Sequence, residues 1–560
     1  MACAAVGGAT LAACASDEAG KTSPAATAAP PTTAASASTA ASTSAASVDS
    51  TPIAIESSST VAETSDAPTT DAPTTTDSPT STADTTGSTV ADRPMADGAT
   101  RMHFEIGPID IEPGQNNIAY SRADIPKPDT DGFIVRIAPN LRFEDGSIPG
   151  VDVVHLHHGV WLNASASDVT TPGLPERFFA AGEEKTTMTL PTGYGYAFHA
   201  SDNWIVNYMI HNLYPIERQV WITYDIDFIP GADPAAAAMV AALPVWTDVQ
   251  NGSVYPVFDV IKGSGTEGTY TYPDQADNPY GTGPLLNSWT VDRDGILLAT
   301  AGHLHPGGLH TDLWLTRAGI TTHLFQSVAN YYEPAGAVSW DVSMTATPED
   351  WRVQVKAGDV LSTSATYDSA RASWYESMGI MVVWKADALI AGDAPAPDPF
   401  TTAVDVDGQP THGHLAENDN HGGGSDATYL DLLSAPSEPA QPSIGISGYV
   451  YAQGDMLAGR AVPTIAPGGS IEFDNIDAPL NNGVWHTITA CKAPCNQSTG
   501  IAYPLADAEI PFDSGELGAV GPPTAGRVTW NTPTDLPTGT YTYFCRIHPS
   551  MRGAFRVEDQ

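Results

Sequence analysis

Close to the C-terminus stands Cys545-Arg546-Ile547-His548-Pro549-Ser550-Met551, directly after the β-branched and aromatic run Gly539-Thr540-Tyr541-Thr542-Tyr543-Phe544. A strand there delivers a thiolate at its end, and a tight turn can then bring an imidazole and a thioether to the same point. A second imidazole must come from a remote strand, and Trp485-His486-Thr487-Ile488-Thr489 is the obvious source. Two His, one Cys and a distant axial Met form a trigonal set. Such a set suits copper cycling between Cu(I) and Cu(II) with little rearrangement. A Cys and a Met buried in an ordinary core is the plain alternative. Four ligand types in the right order and spacing favour the metal.

A second group of histidines lies upstream. Ten of the 15 fall between Gly98 and Ala388, clustered in His155-Leu156-His157-His158, Ile210-His211-Asn212 and His303-Leu304-His305-Pro306-Gly307-Gly308. Residues i and i+2 of a strand share a face, so His303 and His305 can chelate one metal without distorting the backbone. His157 and His158 face opposite sides of a regular strand, and can share a metal only at a strand end or bulge. His155 and His157 share a face, which makes His155 a rival to His158. For any isolated His-x-His, a solvated surface pair is the competing explanation. His103, His199, His310 and His323 read as surface or supporting residues. His412, His414 and His421 sit in an acidic, Gly-flanked stretch that could collect copper, fold back as extra ligands or stay a solvated linker.

The elements that must position these residues are strands. Short β-branched and aromatic runs such as Val220-Trp221-Ile222-Thr223-Tyr224 are closely punctuated by Gly, Pro, Asn and Asp, while long amphipathic helical patterns are missing. That predicts an all-β protein of sandwiches. Residues 15–97 are almost entirely Ala, Ser, Thr, Pro and Asp and cannot offset their ordering entropy, so they read as a disordered tether. Residues 391–442, rich in Pro, Gly, Asp and Ser, read as a second linker. Folded segments are therefore expected over 98–232, 233–390 and 443–560.

Charge narrows the function. With 65 acidic against 23 basic side chains, a net charge of −42, the chain repels phosphate backbones, and a nucleic-acid partner is excluded. A redox partner protein or a small reductant is the expected partner. The run Ala235 to Trp246 falls short of the ~20 apolar residues a spanning helix needs. Five Cys cannot form a disulfide framework in this length, although Cys491 and Cys495, with Pro494 between them, could close one small disulfide. No Gly-x-Ser-x-Gly elbow, Walker loop or dinucleotide fingerprint competes.

Three resemblances extend this reading. Residues 443–560 resemble the cupredoxins, the blue copper proteins, and the Cys-x-x-His-x-x-Met loop followed by Arg552-Gly553 is particularly similar to the amicyanin type. The resemblance implies a Greek-key β-sandwich with type 1 copper on His486, Cys545, His548 and axial Met551, serving electron transfer. Most of 98–388 distantly resembles the copper type II monooxygenases, through Leu190-Pro191-Thr192-Gly193-Tyr194-Gly195-Tyr196 ahead of His211, the His303-Leu304-His305 turn, and Gly358-Asp359-Val360 followed by Glu376-Ser377-Met378. That likeness implies two jelly-roll-like sandwiches and two further coppers, one on His157, His158 and His211, the other on His303, His305 and Met378, where dioxygen would be activated. The family's substrate-binding Arg and Tyr are replaced by Ala301 and Val382, so a C-terminal glycine peptide is an unsuitable substrate. Finally, Leu11-Ala12-Ala13-Cys14 resembles the lipobox of bacterial lipoproteins, with a soluble secretory signal over 1–14 as the alternative. Lipidation at Cys14 implies an exported, cell-surface or periplasmic protein touching the membrane only through its anchor.

Two functions follow. In one, the cupredoxin feeds electrons to a fused monooxygenase-like module. In the other, the large block binds, stores or delivers copper and only the cupredoxin is redox active.

Overall fold

The computed structural model describes residues 94–559 apart from 116–117, 122–124, 152, 215, 249–256, 274–286, 333–340, 371–372, 419–429, 433, 481–483, 491–510, 519–526 and 549. The expectations for Cys14, the leader, nearly all of the tether, His421 and the Cys491–Cys495 pair lie outside the described residues. What is described is all-β, with only one four-residue α-helix at Asp477–Leu480 and short 3₁₀ turns. Among the described residues no helix is long and apolar enough to cross a membrane.

The first sandwich packs two antiparallel sheets. One carries Thr100–Ile111, Arg218–Pro230, Gly132–Phe143 and Tyr194–Phe198 in that order; the other carries Ile118–Ser121, Trp204–Asn212, Val154–Ser167 and Pro175–Gly182. Inward-facing Trp161, Phe178, Tyr196, Trp204 and Ile222 are each at most 3% exposed and fill the space between the sheets. Alternation along the strands puts them there, and each such side chain contributes on the order of 2 kcal/mol by leaving water.

The second sandwich is built on Gly295–His303, Gly308–Arg317, Ile320–Tyr331, Val360–Asp368 and Ile380–Ala386, around Leu297, Leu313, Phe325 and Val383. It is not separate from the first. Val240–Asp248 pairs in parallel with Tyr194–Phe198 and antiparallel with Ile380–Ala386, so one sheet runs continuously through both halves. The histidine-bearing strand ends of the two halves converge as a result.

The C-terminal sandwich has sheets of five and four strands. Val462–Ile465, Arg552–Val557, Gly539–Phe544 and Thr489–Ala490 belong to the first, and Ser443–Ser447, Glu472–Asn475 and Thr529–Asn531 to the second. The stretch read as a linker is structured at both ends. Gln409–Pro410 adds a strand beside Thr345 and Ala346, while Ser437–Pro439 pairs with Val462 to Thr464, and Leu432 and Ala435 are buried against Met456 and Ala554. The C-terminal sandwich therefore begins near residue 430 rather than at 443, because apolar side chains scattered among Pro and Ser still find a hydrophobic surface to cover.

Candidate metal centres

Strand Gly539–Phe544 ends at Cys545, and the turn back into Arg552–Val557 is held by Met551 N–H donating to the His548 carbonyl at 2.8 Å and Cys545 N–H to the Met551 carbonyl at 3.1 Å. The turn brings Cys545 Sγ to 3.8 Å from His548 Nδ1, and His486 Nδ1 lies 3.8 Å from the same sulfur and 3.2 Å from His548 Nδ1. Ligand bonds of about 2.1 Å in a trigonal plane separate donor atoms by roughly 3.6 Å, so this triangle fits one metal ion. Cys545 and His486 are wholly buried and His548 is 1% exposed; Met551 is buried in the same turn.

Supports surround the triangle. Asp477 Oδ2 stands 3.1 Å from His486 Nε2, which leaves Nδ1 for the centre, and the carboxylate itself accepts from the N–H groups of Gly448 and Tyr449. The sulfur accepts N–H bonds from Thr487 at 3.3 Å and His548 at 3.4 Å. Burial opposes ionisation of the thiol, yet the hydrogen bonds and charges of His486 and His548 outweigh it and hold Cys545 well below the usual thiol range. Neither Asp477 nor Tyr449, whose ring stands edge-on to both His486 and His548, stands out in the sequence. An Asp in an acidic chain does not advertise itself.

Tyr449 also ties this sandwich to the large block. Its hydroxyl donates to the Pro113 carbonyl, and Gly114, at φ +62°, lies so close that a Cβ there would fall 1.9 Å from the Tyr449 oxygen. Only glycine tolerates both the left-handed backbone and that approach. Across this seam the His548 ring meets His211 at a centroid distance of 5.9 Å.

In the large block the register of Val154–Ser167 against Trp204–Asn212 slips between Leu156 and His158, a bulge centred on His157. The bulge lets adjacent His157 and His158 turn toward one region, as their sharing of a metal requires. His157, His158 and His305 place one donor atom each within 4.8 Å of one another; His155, His157 and Glu183 do the same. The sequence grouping is thereby redrawn. His305, just beyond the end of Gly295–His303 in the continuous sheet, joins His157 and His158 from the separate four-stranded sheet instead of pairing only with His303, while His211 packs edge-on against His155 at 5.1 Å and against His548. His155, a rival of His158 in the sequence, belongs with it in one cluster.

His303 ends its strand at the edge of this cluster. Its Nδ1 lies 3.0 Å from Glu184 Oε2, while Glu184 Oε1 accepts the Gly182 N–H at 2.9 Å. This carboxylate fixes the ring so that Nε2 faces inward. Gly182 is held tight: a Cβ there would meet the His157 carbonyl at 2.6 Å and His303 Cε1 at 2.8 Å. Burial pushes His155 down to about 4 and His158 to about 3, so both rings are neutral near pH 7 and ready to ligate. Burial likewise pushes Glu183 up to about 8.

Met378 enters through its backbone. The Tyr367 hydroxyl accepts N–H bonds from His305 at 3.0 Å and Met378 at 3.1 Å and donates to the Met378 carbonyl at 2.7 Å, which saturates it and locks the two residues together. Tyr367→Phe leaves two buried N–H groups unpaired. At ~1–3 kcal/mol each, the expected loss is about 2–6 kcal/mol, visible as a lower denaturant midpoint for the large block. An unchanged midpoint would show that the hydroxyl is dispensable.

The remaining histidines are accounted for among the described residues. His103 contacts Asp225 and Glu105, His199 lies near Asp131, and His310 and His323 share Asp312. His412 and His414 do not join the cluster. The His412 ring bonds the Gly413 and Glu184 carbonyls and His414 bonds buried Asp341, while Glu417 pairs with Lys185, so this segment straps the large block instead of supplying ligands.

No protein-family model matches the sequence, and no curated protein does. Among solved structures, a mutant amicyanin in its Cu(I) form, with one methionine replaced by alanine, is 14% identical over 24% of this chain and 95% of its own, with a TM-score of 0.14. The copper-containing nitrite reductase of Thermus scotoductus is 14% identical over 47% of this chain, which spans about half (55%) of that enzyme's length, with a TM-score of 0.15. An infectious bursal disease virus structure is 12% identical over 56% of this chain and 77% of its own, with a TM-score of 0.14.

Proposed function

We propose that this chain is a copper-binding electron-transfer protein in which the C-terminal sandwich carries a type 1 centre on His486, Cys545, His548 and Met551 and feeds electrons to a copper cluster in the large block. The observation that carries the reading is the edge contact of His548 with His211. One end of a thiolate-containing triangle touches the first ring of a chain of imidazoles. From His211 the rings continue to His155 at 5.1 Å, from His155 to His157 at 5.9 Å, and from His157 to His305 at 4.4 Å. Burial throughout excludes water, which keeps reorganisation small.

Copper in the large block would supply reductive activation of dioxygen, the chemistry of a monooxygenase. The protein's own part is to hold His157 and His158 neutral and pre-oriented, with Glu184 fixing His303 and Tyr367 fixing His305 and Met378. A small reductant or a cationic redox protein is the proposed donor, since the acidic surface favours a positively charged partner. Export as a lipoprotein through Cys14 belongs to the same proposal.

The test is His211→Phe in the full copper-loaded chain. The thiolate-to-copper band should form and bleach with reductant as before, but its return under oxygen should slow at least about tenfold, ~1.4 kcal/mol in barrier. Reoxidation at the original rate would sink the relay, and a large block that binds no copper would leave only a blue copper domain on a scaffold.

A further inference from the structure

Glu183 is the least explained acidic side chain among the described residues. It is 0% exposed, and neither carboxylate oxygen has a hydrogen-bond partner. Its nearest polar neighbour is His157 Nδ1, 3.5 Å from Oε2. Adjacent Glu184, 2% exposed, is satisfied by His303 and the Gly182 N–H, and partly buried Lys185 is engaged by Glu417. Glu184 and Lys185 are thus committed elsewhere, which leaves His157 as the nearest group beside Glu183. A carboxyl buried this deeply with neither oxygen bonded has no structural partner to explain it, and its two oxygens beside His157 offer ligand positions.

The geometry points to a metal ion. We propose that Glu183, His155 and His157 hold a second divalent metal beside the ion bound by His157, His158 and His305, so that the large block contains a metal pair instead of two ions kept apart in two sandwiches. One donor atom from each of the three residues already lies within 4.8 Å of the others, and all three are buried. His155 Nδ1 is bonded to the Val151 carbonyl at 2.7 Å, which turns Nε2 toward the cluster. Two imidazoles and a carboxylate suit Cu(II) or another divalent ion better than Cu(I), because the carboxylate is a hard donor. His157 is common to both groups, so with both ions present it would serve each through one ring nitrogen, its N–H proton leaving to solvent as the second ion binds.

This inference rests on the copper cluster proposed above, and the experiment separates the two. The full chain and its Glu183→Gln variant are loaded with Cu(II), desalted, and compared by metal analysis and electron paramagnetic resonance. Glutamine keeps the shape but removes the charge. The original protein should show fewer unpaired spins than copper ions, as a coupled pair requires. The variant should lose one copper per chain, recover the full spin count for those remaining, and keep the blue band. His155→Gln should lose the same ion, which guards against a folding defect peculiar to position 183. An unchanged copper and spin count in Glu183→Gln overturns the metal pair while leaving the cluster standing. Absence of all large-block copper from the original protein overturns both.

Discussion

Replacing Cys545 by Ser is expected to abolish the intense visible band completely and to lower reductant-driven oxygen consumption by about two orders of magnitude, ~3 kcal/mol in barrier. Three features of the site add up to that effect. The thiol is held well below its usual range by His486 and His548 against the opposition of burial, so sulfur is a ready anionic ligand, whereas a serine hydroxyl stays protonated there. The N–H groups of Thr487 and His548 are aimed at a sulfur 3.3 and 3.4 Å away, and the shorter C–O bond of serine withdraws the acceptor from both. Oxygen is also a hard donor, unsuited to Cu(I). Copper on the large block should remain, which optical spectroscopy with metal analysis will verify. A Cys545→Ser protein that keeps its blue band would remove the thiolate from the centre altogether.

That centre is the most legible part of the chain because its chemistry is local. Cys545, His548 and Met551 lie within one turn, and a turn leaves few ways to arrange three side chains. His486 is reachable because a β-branched run marks its strand. The bulge at His157 is legible as a requirement, since two adjacent strand residues can share a metal only if the register slips, and the structure places the slip there. How the two halves meet is not legible. Their continuity depends on a two-residue parallel contact, Val240 with Tyr194 and Ala241 with Gly195, and no periodicity encodes so short a pairing. Spacing alone therefore groups His305 with its neighbour His303, although the packing of the two halves brings it to His157 and His158. Glu183 and Glu184 escape notice for a different reason. In a chain with 65 acidic residues two more are inconspicuous, and what distinguishes them is burial. Their position just after the apolar run Phe178-Phe179-Ala180-Ala181 is the available signal.

The reverse experiment to Cys545→Ser acts at the other end of the imidazole chain. His305→Ala should leave the blue band intact and reducible but stop its reoxidation by oxygen, slowing it about a hundredfold or more, ~2.7 kcal/mol in barrier. His305 is 4% exposed, its ring lies 4.4 Å from that of His157 and 6.0 Å from that of His158, and its backbone is pinned by Tyr367. Loss of one of three imidazoles leaves two, and the site should release its copper on desalting. His310→Ala is the matched control, because His310 lies in the next strand but contacts Asp312 and Gln326 away from the cluster. Together the two substitutions order the steps. Without Cys545 there is no band to follow and oxygen consumption falls, while a protein that cannot discharge its electrons bleaches and stays colourless under air. If His305→Ala instead recolours as fast as the original protein, oxygen reacts at the type 1 centre itself, and the imidazole chain from His211 to His305 carries no electrons.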